Sequence, residues 1–412
     1  MDNSISEVPY VILIGGGVEA CEGIRVARQM GLKLIVVDGD PHAPGFELAD
    51  LSLSISTYDG QQLIRACRDL QQDGCKIIGV IAMCADVPVS VAAVAQALGL
   101  PGLSLESACW VADKLLMKQR LEAQGIPIPG YAAVKSVEDM GEQAALLGLP
   151  LVVKPVDSRG ARGVLLIDEE AQFEWAYKVA RDESPTGRVM VEEYLPGPQF
   201  STETLVDKGQ CYTVGFSDRN YEWLEKTRPH IIENGGDAPT ALSPTERQQV
   251  VDTVEKAALA LNIRSGVAKG DMVLTPRGPK VIEIAGRLSG GYFSTTQIPL
   301  ATGVNFVEQA IRLALGETLQ PSAVASKWQR GVAIRYLDLP PGRVSSVTGE
   351  KKAASLPGVE MLRLFVAPGD YVPQLGNHTQ RPGFVIATAE TKELAVSRAQ
   401  RALAQIRIDY AQ

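Results

Sequence analysis

Between residues 10 and 113 short apolar runs alternate with helix-length stretches, and that alternation narrows the possible folds more than any other feature of the chain. Tyr10 to Ile14, Lys33 to Val37, Leu51 to Ile55 and Ile77 to Met83 read as strands. Helices are expected over Val18 to Met30, Gly60 to Gln72 and Pro88 to Leu98. Parallel strands need connections long enough to cross the sheet, so strands separated by helices imply a doubly wound parallel sheet. Gly15-Gly16-Gly17 turns the first strand into its helix, and Asp38 ends the second strand. That arrangement approximates a dinucleotide-binding fingerprint, although the glycine spacing does not match it closely.

Size and charge exclude several classes. The 412 residues are 45% hydrophobic and 21% charged, enough for two or three domains with cores of their own. The first apolar run, Tyr10 to Ile14, is too short for a leader or a membrane span, which points to a cytoplasmic protein without membrane contact. A net charge of −8 disfavours nucleic acid as a partner. The six cysteines form no C-x-x-C pair and read as buried thiols, with neither a zinc site nor a disulfide framework.

Beyond the first unit, Asp113 to Gln124 reads as a helix stopped by Gly125. A smaller α+β unit follows, to about Tyr194. Residues 200 to 320 carry strand hairpins and the helices Pro244 to Leu261 and Asn305 to Leu315, and the chain ends in the helix Thr391 to Ile406. Asp271 and Glu283 flank a turn over Pro276 to Pro279. A turn of odd length sets the two carboxylates opposite each other on one face. Two like charges so close repel, so a folded chain seldom keeps them without a cation between them. Arg287 and Ser289-Gly290-Gly291 follow on the same strand end. Two carboxylates, a metal and an arginine suit chemistry on a phosphate. A solvent-facing hairpin with ordinary charges is the alternative.

Lys154 ends an apolar strand and leads into Pro155 to Gly163, where Gly160 and Gly163 let backbone N–H groups approach phosphate oxygens near Ser158. The Walker spacing is absent. Glu192-Glu193-Tyr194-Leu195 ends another apolar strand before a Pro/Gly bend reaching Gln199, a place where a flat base could be clamped between two sheets.

Taken in order, Lys114, Lys154 with its glycine loop, the acidic bend and Asp271/Glu283/Arg287 resemble the ATP-grasp superfamily, and within it the carboxylate–amine ligases related to bacterial L-amino-acid ligases. The resemblance covers nearly the whole chain. It implies a doubly wound unit over 1–112, a linker helix and lid over 113–195, a metal and catalytic unit over 196–322 and a C-terminal subdomain over 323–412. It implies that Lys114 and Lys154 contact ATP phosphates and that the loop with Ser158, Gly160 and Gly163 covers them. The backbone of Glu192, Glu193, Tyr194 and Leu195 would hold adenine, Asp271 and Glu283 would bind magnesium (manganese being an alternative), and Arg287 would stabilise the transferred phosphoryl group. The sequence departs from the family pattern at two places. Gln199 stands where many members have a ribose-binding glutamate, and Ala285 where many have a further metal ligand, an asparagine.

For substrates, Arg219 and Arg228 could grip a carboxylate and His230 could act as a base or complete the metal site. Asp86 could orient an amine, and Ser289, Gly290 and Gly291 could offer N–H groups to a carboxylate. The expected activity is amide or peptide formation from a small carboxylate and a small amine, most simply amino acids, by a homodimer. The rivals are a purine-pathway ligase resembling glycinamide ribonucleotide synthetase, a nicotinamide-dependent dehydrogenase and a catalytically silent ATP-binding protein.

Overall fold

The computed structural model describes residues 8–411. The first unit is a parallel sheet in the order Leu51–Ser54, Lys33–Asp38, Tyr10–Ile14, Ile77–Ala82, with helices on both faces. Val11 to Ile14 and Leu34 to Val37 are fully buried, as continuous apolar runs in a two-faced parallel sheet must be. The carboxyl ends of these strands carry Gly15 and Cys84 to Asp86 toward the rest of the molecule. Gly15 (φ +102°) has no room for a side chain, since a Cβ there would meet Ala85 and the Met83 carbonyl at 2.9 Å. Asp38 accepts hydrogen bonds from Gly16 N–H at 2.7 Å and Asp40 N–H at 3.0 Å. Its carboxylate therefore builds the turn, which explains the apparent dinucleotide fingerprint by local structure.

A helix over Lys114–Ala123, N-capped by Asp113, leads into the lid, an antiparallel sheet ordered Tyr131–Val134, Val189–Glu193, Leu151–Pro155, Leu165–Ile167. Its own core gathers Met140, Val153, Phe173 and Val191. A helix over Leu105–Ala112, absent from the sequence reading, precedes the linker.

The largest sheet has eight antiparallel-paired strands in the order Gly278–Ala285, Gly266–Thr275, Gln199–Asp207, Gln210–Asn220, Gly235–Ala238, Gly331–Tyr336, Gly383–Ala389, Val359–Leu364. It therefore runs on through residue 322, and the C-terminal residues add strands to it. The last helix, Lys392–Leu403, packs on those strands, and Arg407–Tyr410 pairs in a small sheet of its own.

The hairpin with the two acids differs from the expected one. Its turn has two residues, because Thr275 pairs with Gly278. A regular ladder from that turn would set Asp271 against Ile282. A β-bulge between Asp271 and Met272 shifts the register by one, so that Asp271 faces Glu283 and the extra residue is Ile282. The two acids thus meet across the strands by a bulge, not by an odd turn.

Candidate active site

The sheet ends, the lid and the linker helix enclose one cavity of about 470 Å³, within the range of small-molecule sites. Lys114, Lys154, Ser158 and Gly160 line it from the linker and lid. Glu192 to Leu195 and Gln199 line it from the bend, and Asp271, Glu283 and Arg287 from the large sheet. Asp86 reaches it from the first unit.

The bulge shapes this cavity. Because two residues oppose one, Ile282 and Glu283 both line the cavity although they are neighbours in one strand. Lys118 caps the outward-facing Val281 carbonyl and that of Ile282, the extra residue of the bulge, with its Nζ at 3.2 and 2.8 Å. Lys118 is fully buried. Burial pushes its ammonium down to about 8, with Glu192 opposing the shift. Glu192 lies 3.3 Å from Lys118 and 2.7 Å from Lys154. Burial alone would raise the Glu192 carboxyl, but the two lysines hold it below its ordinary value. One buried carboxylate therefore ties the lid strand, the linker helix and the hairpin together. Sequence reasoning missed Lys118; its position one helical turn after Lys114 was the available signal.

Asp271 is ion-paired with Arg219 at 2.7 Å and with Lys269. Burial opposes its charge, yet these cations hold its carboxyl well below the usual range. Glu283 lies 3.4 Å from Lys114, whose Nζ also donates to the Ser158 carbonyl at 2.8 Å. Two carboxylates facing each other across adjacent strands offer hard oxygen donors. No cluster of three or more His, Cys, Asp or Glu that could cage an ion occurs among the described residues. That donor set fits magnesium, which binds through one or two carboxylates and completes its shell with phosphate oxygens and water. Ala285 lines the cavity but offers no ligand atom.

Arg287 is half-buried and its NH2 lies 3.5 Å from Asp86, which is also 3.6 Å from Arg159 of the lid loop. Burial would raise the Asp86 carboxyl; Arg287 and Arg159 hold it below its ordinary value. Asp86 is thus a counter-ion for two arginines, a position not foreseen when it was read as an amine-orienting group. Tyr58 stacks under Arg159, 4.7 Å from ring centroid to Cζ. The loop is held on its other side too: the His378 N–H donates to the Gly160 carbonyl at 2.9 Å.

Several expected residues take other places. His230 does not line the cavity. It lies on the lid flank, 6.4 Å from the Trp175 ring, because its segment bridges to Leu165. It cannot complete the metal site from there. Arg228 points away as well, toward Asp168 at 3.1 Å and Glu225 at 3.2 Å. Gly163 (φ +69°) lies outside the cavity lining, where its missing side chain makes room for Pro155 and Glu183. Two of the three N–H groups assigned to a substrate carboxylate are already engaged. Ser289 N–H donates to Glu203 at 2.5 Å and Gly291 N–H to Glu19 at 3.1 Å. Glu203 is fully buried, and burial raises its carboxyl despite these hydrogen bonds. At the bend, Glu193 N–H bonds Gly130 O and Tyr194 N–H bonds Pro150 O, so backbone groups of Leu195 are better placed to read a base edge.

His378, from the short helix His378–Gln380 that precedes the strand Gly383–Ala389, was not foreseen. Its Nε2 accepts from Glu233 N–H at 3.1 Å, so that nitrogen carries no proton. Burial, then Arg381 and Arg219, hold its pKa well below 6.5, and burial lowers His230 in the same direction. Both groups bind protons more readily unfolded than folded. Their contribution is present above 6.5 and is lost as pH falls below it. We expect unfolding midpoints in urea to drop between pH 6.5 and 5, and His378→Gln, which keeps an acceptor, to flatten that drop. An unchanged slope in the variant would remove His378 from this account.

Residues 111–291 match the family model of the ATP-grasp domain, and residues 335–411 that of the L-amino acid ligase C-terminal domain 2. The chain belongs to the ATP-grasp superfamily, as a carboxylate–amine ligase that uses ATP to form carbon–nitrogen bonds. Among solved structures, the L-amino acid ligase of Bacillus licheniformis superposes with a TM-score of 0.84 at 21% identity, covering 98% of this chain and 99% of that one. Phosphoribosylglycinamide synthetase from Anaerococcus prevotii gives 0.75 at 18% identity, over 98% of this chain and 100% of that one. In sequence, the protein y4rH of Sinorhizobium fredii is 27% identical over 391 residues, 93% of this chain and 79% of the relative. A formate-dependent phosphoribosylglycinamide formyltransferase of Burkholderia pseudomallei is 27% identical over 424 aligned positions, 96% and 95% of the two chains. Among the described residues no helix is long and apolar enough to cross a membrane.

Proposed function

We propose that the chain joins two amino acids, activating the carboxylate of one and forming a peptide bond with the amine of the other. The observation that carries this reading is the convergence of Lys114, Lys154, the Ser158–Gly160 loop, Asp271, Glu283 and Arg287 on one cavity that Tyr336, His378, Thr379 and Arg381 also line. Those last four residues lie within the segment that matches the L-amino acid ligase C-terminal domain. A purine-pathway ligase is the second reading, favoured by the likeness to the Burkholderia pseudomallei formyltransferase.

A carboxylate is a poor acyl donor because its leaving group would be oxide. In the proposed reaction a carboxylate oxygen attacks the γ-phosphorus of ATP, the bond to the β-phosphate oxygen breaks, and ADP leaves. The amine nitrogen then attacks the acyl carbon, its surplus proton is lost, and phosphate departs. Lys114, Lys154 and the loop N–H groups hold the phosphates, and Ile282 and the Leu195 backbone hold the base. Arg287 stays fixed against Asp86 and faces the developing negative charge. Magnesium, with manganese as an alternative, would be held by Asp271 and Glu283 and would neutralise charge on the phosphates. The residues contribute mainly position and charge. We further propose a homodimer, tested by light scattering.

ADP release over all pairs of the common amino acids, with mass detection of product, tests the reading. At least one pair should stimulate ADP release several-fold and yield a dipeptide. Asp271→Asn should raise the magnesium concentration for half-maximal rate at least tenfold. If no pair stimulates ADP formation the ligase reading fails; if a pair does and the variant keeps the wild-type magnesium dependence, the metal assignment fails.

A further inference from the structure

Fixed charge in the cavity is almost entirely compensated. Every Asp, Glu, Lys and Arg that lines it has an oppositely charged partner within 4.0 Å among the described residues, except Glu19 and Arg381. These two come from opposite ends of the chain. They are joined by a short series of contacts across the end of the cavity beyond Arg287. Glu19 Oε2 accepts from Gly291 N–H at 3.1 Å. A Cβ on Gly291 would lie 3.3 Å from the Tyr336 hydroxyl. The Arg381 guanidinium lies on the Tyr336 ring, 3.6 Å from its centroid. Arg381 is braced by donating Nε to the His378 carbonyl at 2.9 Å and NH1 to the Glu233 carbonyl at 3.2 Å. Its NH2 donors have no protein partner among the described residues.

A cavity that offers one unpaired anion and one unpaired cation on a rigid wall is complementary to a zwitterion. Resting on the ligase reading above, we propose that Glu19 and Arg381 form the subsite for the amine substrate, which is a free α-amino acid. Glu19 lies four residues' reach from Arg287 through the Ser289–Gly291 loop, and it receives the ammonium group before attack. Arg381 takes the α-carboxylate, whose planar oxygens match the guanidinium fork. A Cβ on Gly290 would stand 2.8 Å from Glu19 Oε2, so the carboxylate lies directly against this loop. A phosphate monoester carries about two charges and would ask for more than one free cation. The subsite therefore discriminates against sugar phosphates as amine carriers.

The test separates this proposal from the reading beneath it. Hydroxylamine, which needs no subsite, is used first to trap the activated carboxylate as a hydroxamate with wild-type enzyme and each common amino acid. Absence of any hydroxamate defeats the ligase reading itself. With a donor that yields hydroxamate, L-alanine, L-alaninamide and O-phosphoethanolamine are then compared as acceptors. Wild-type kcat/KM should favour L-alanine over L-alaninamide by roughly 30-fold or more. Arg381→Ala should bring that ratio to within about threefold, with Arg381→Lys intermediate. Glu19→Gln, which can still accept from Gly291 N–H, should raise KM for alanine and alaninamide alike. Equal use of acid and amide by the wild type overturns the subsite. So does an Arg381→Ala variant that keeps the wild-type ratio while losing activity, or a preference for O-phosphoethanolamine.

Discussion

Arg287→Ala should release ADP on the order of 10²–10³-fold more slowly than the wild type, with nucleotide affinity changed far less. The size follows from losing one fixed donor to a developing negative charge, about 3–4 kcal/mol of barrier. Arg287 suits that role because it is half-buried and held beside Asp86, so little reorganisation accompanies reaction. Its removal leaves Asp86 with Arg159 as partner, so the fold should survive. Rapid-quench measurement of acyl-phosphate formation, together with ATP binding by calorimetry, would separate the two effects. Equal losses in binding and in rate would show that Arg287 only grips the nucleotide.

The largest loss of stability should come from Glu192→Gln. Its single carboxylate compensates the buried ammonium groups of Lys118 and Lys154. Breaking a buried pair on one side costs roughly 3–5 kcal/mol, because charge is left without a partner in a poorly solvated place. Lys118→Met removes one of those charges and fills much the same volume, so it should cost less, although it uncaps two carbonyls. Urea unfolding followed by tryptophan fluorescence would rank the two variants. A Glu192→Gln protein within about 1 kcal/mol of wild type would mean that water already solvates the lysines.

Much of the architecture was legible because it rests on short-range pattern. The parallel sheet of the first unit follows from apolar strands spaced by helices, and the linker helix follows from its stop at Gly125. The glycine loop after Lys154 and the pair Asp271/Glu283 were likewise visible as motifs, and the structure brings them to one cavity. What could not be read were relations between distant segments. His378 and Arg381 carry no motif of their own, and they reach the cavity only because residues 331–389 extend the large sheet. The lid sheet explains why His230, eleven residues after Arg219, ends on the lid flank: its segment bridges to Leu165 in the lid's edge strand and leaves the cavity face. The backbone N–H groups of Ser289 and Gly291 looked available because nothing in sequence reveals that Glu203 and Glu19 already use them.

The bulge at Ile282 has a meaning for how a site can be encoded. A strand obeys parity: alternate residues share a face, so a wall position and its neighbour ordinarily look in opposite directions. By breaking parity once, the chain places an apolar side chain and a carboxylate of one cavity wall in adjacent codons. Deleting Ile282 would restore parity, and the two acids would still face each other, yet the apolar wall residue would vanish and Lys118 would lose one of the two carbonyls it caps. Under the proposed function, recognition of the base and retention of the ion are therefore separable by a single deletion, and a reading by strict alternation passes over one of the two.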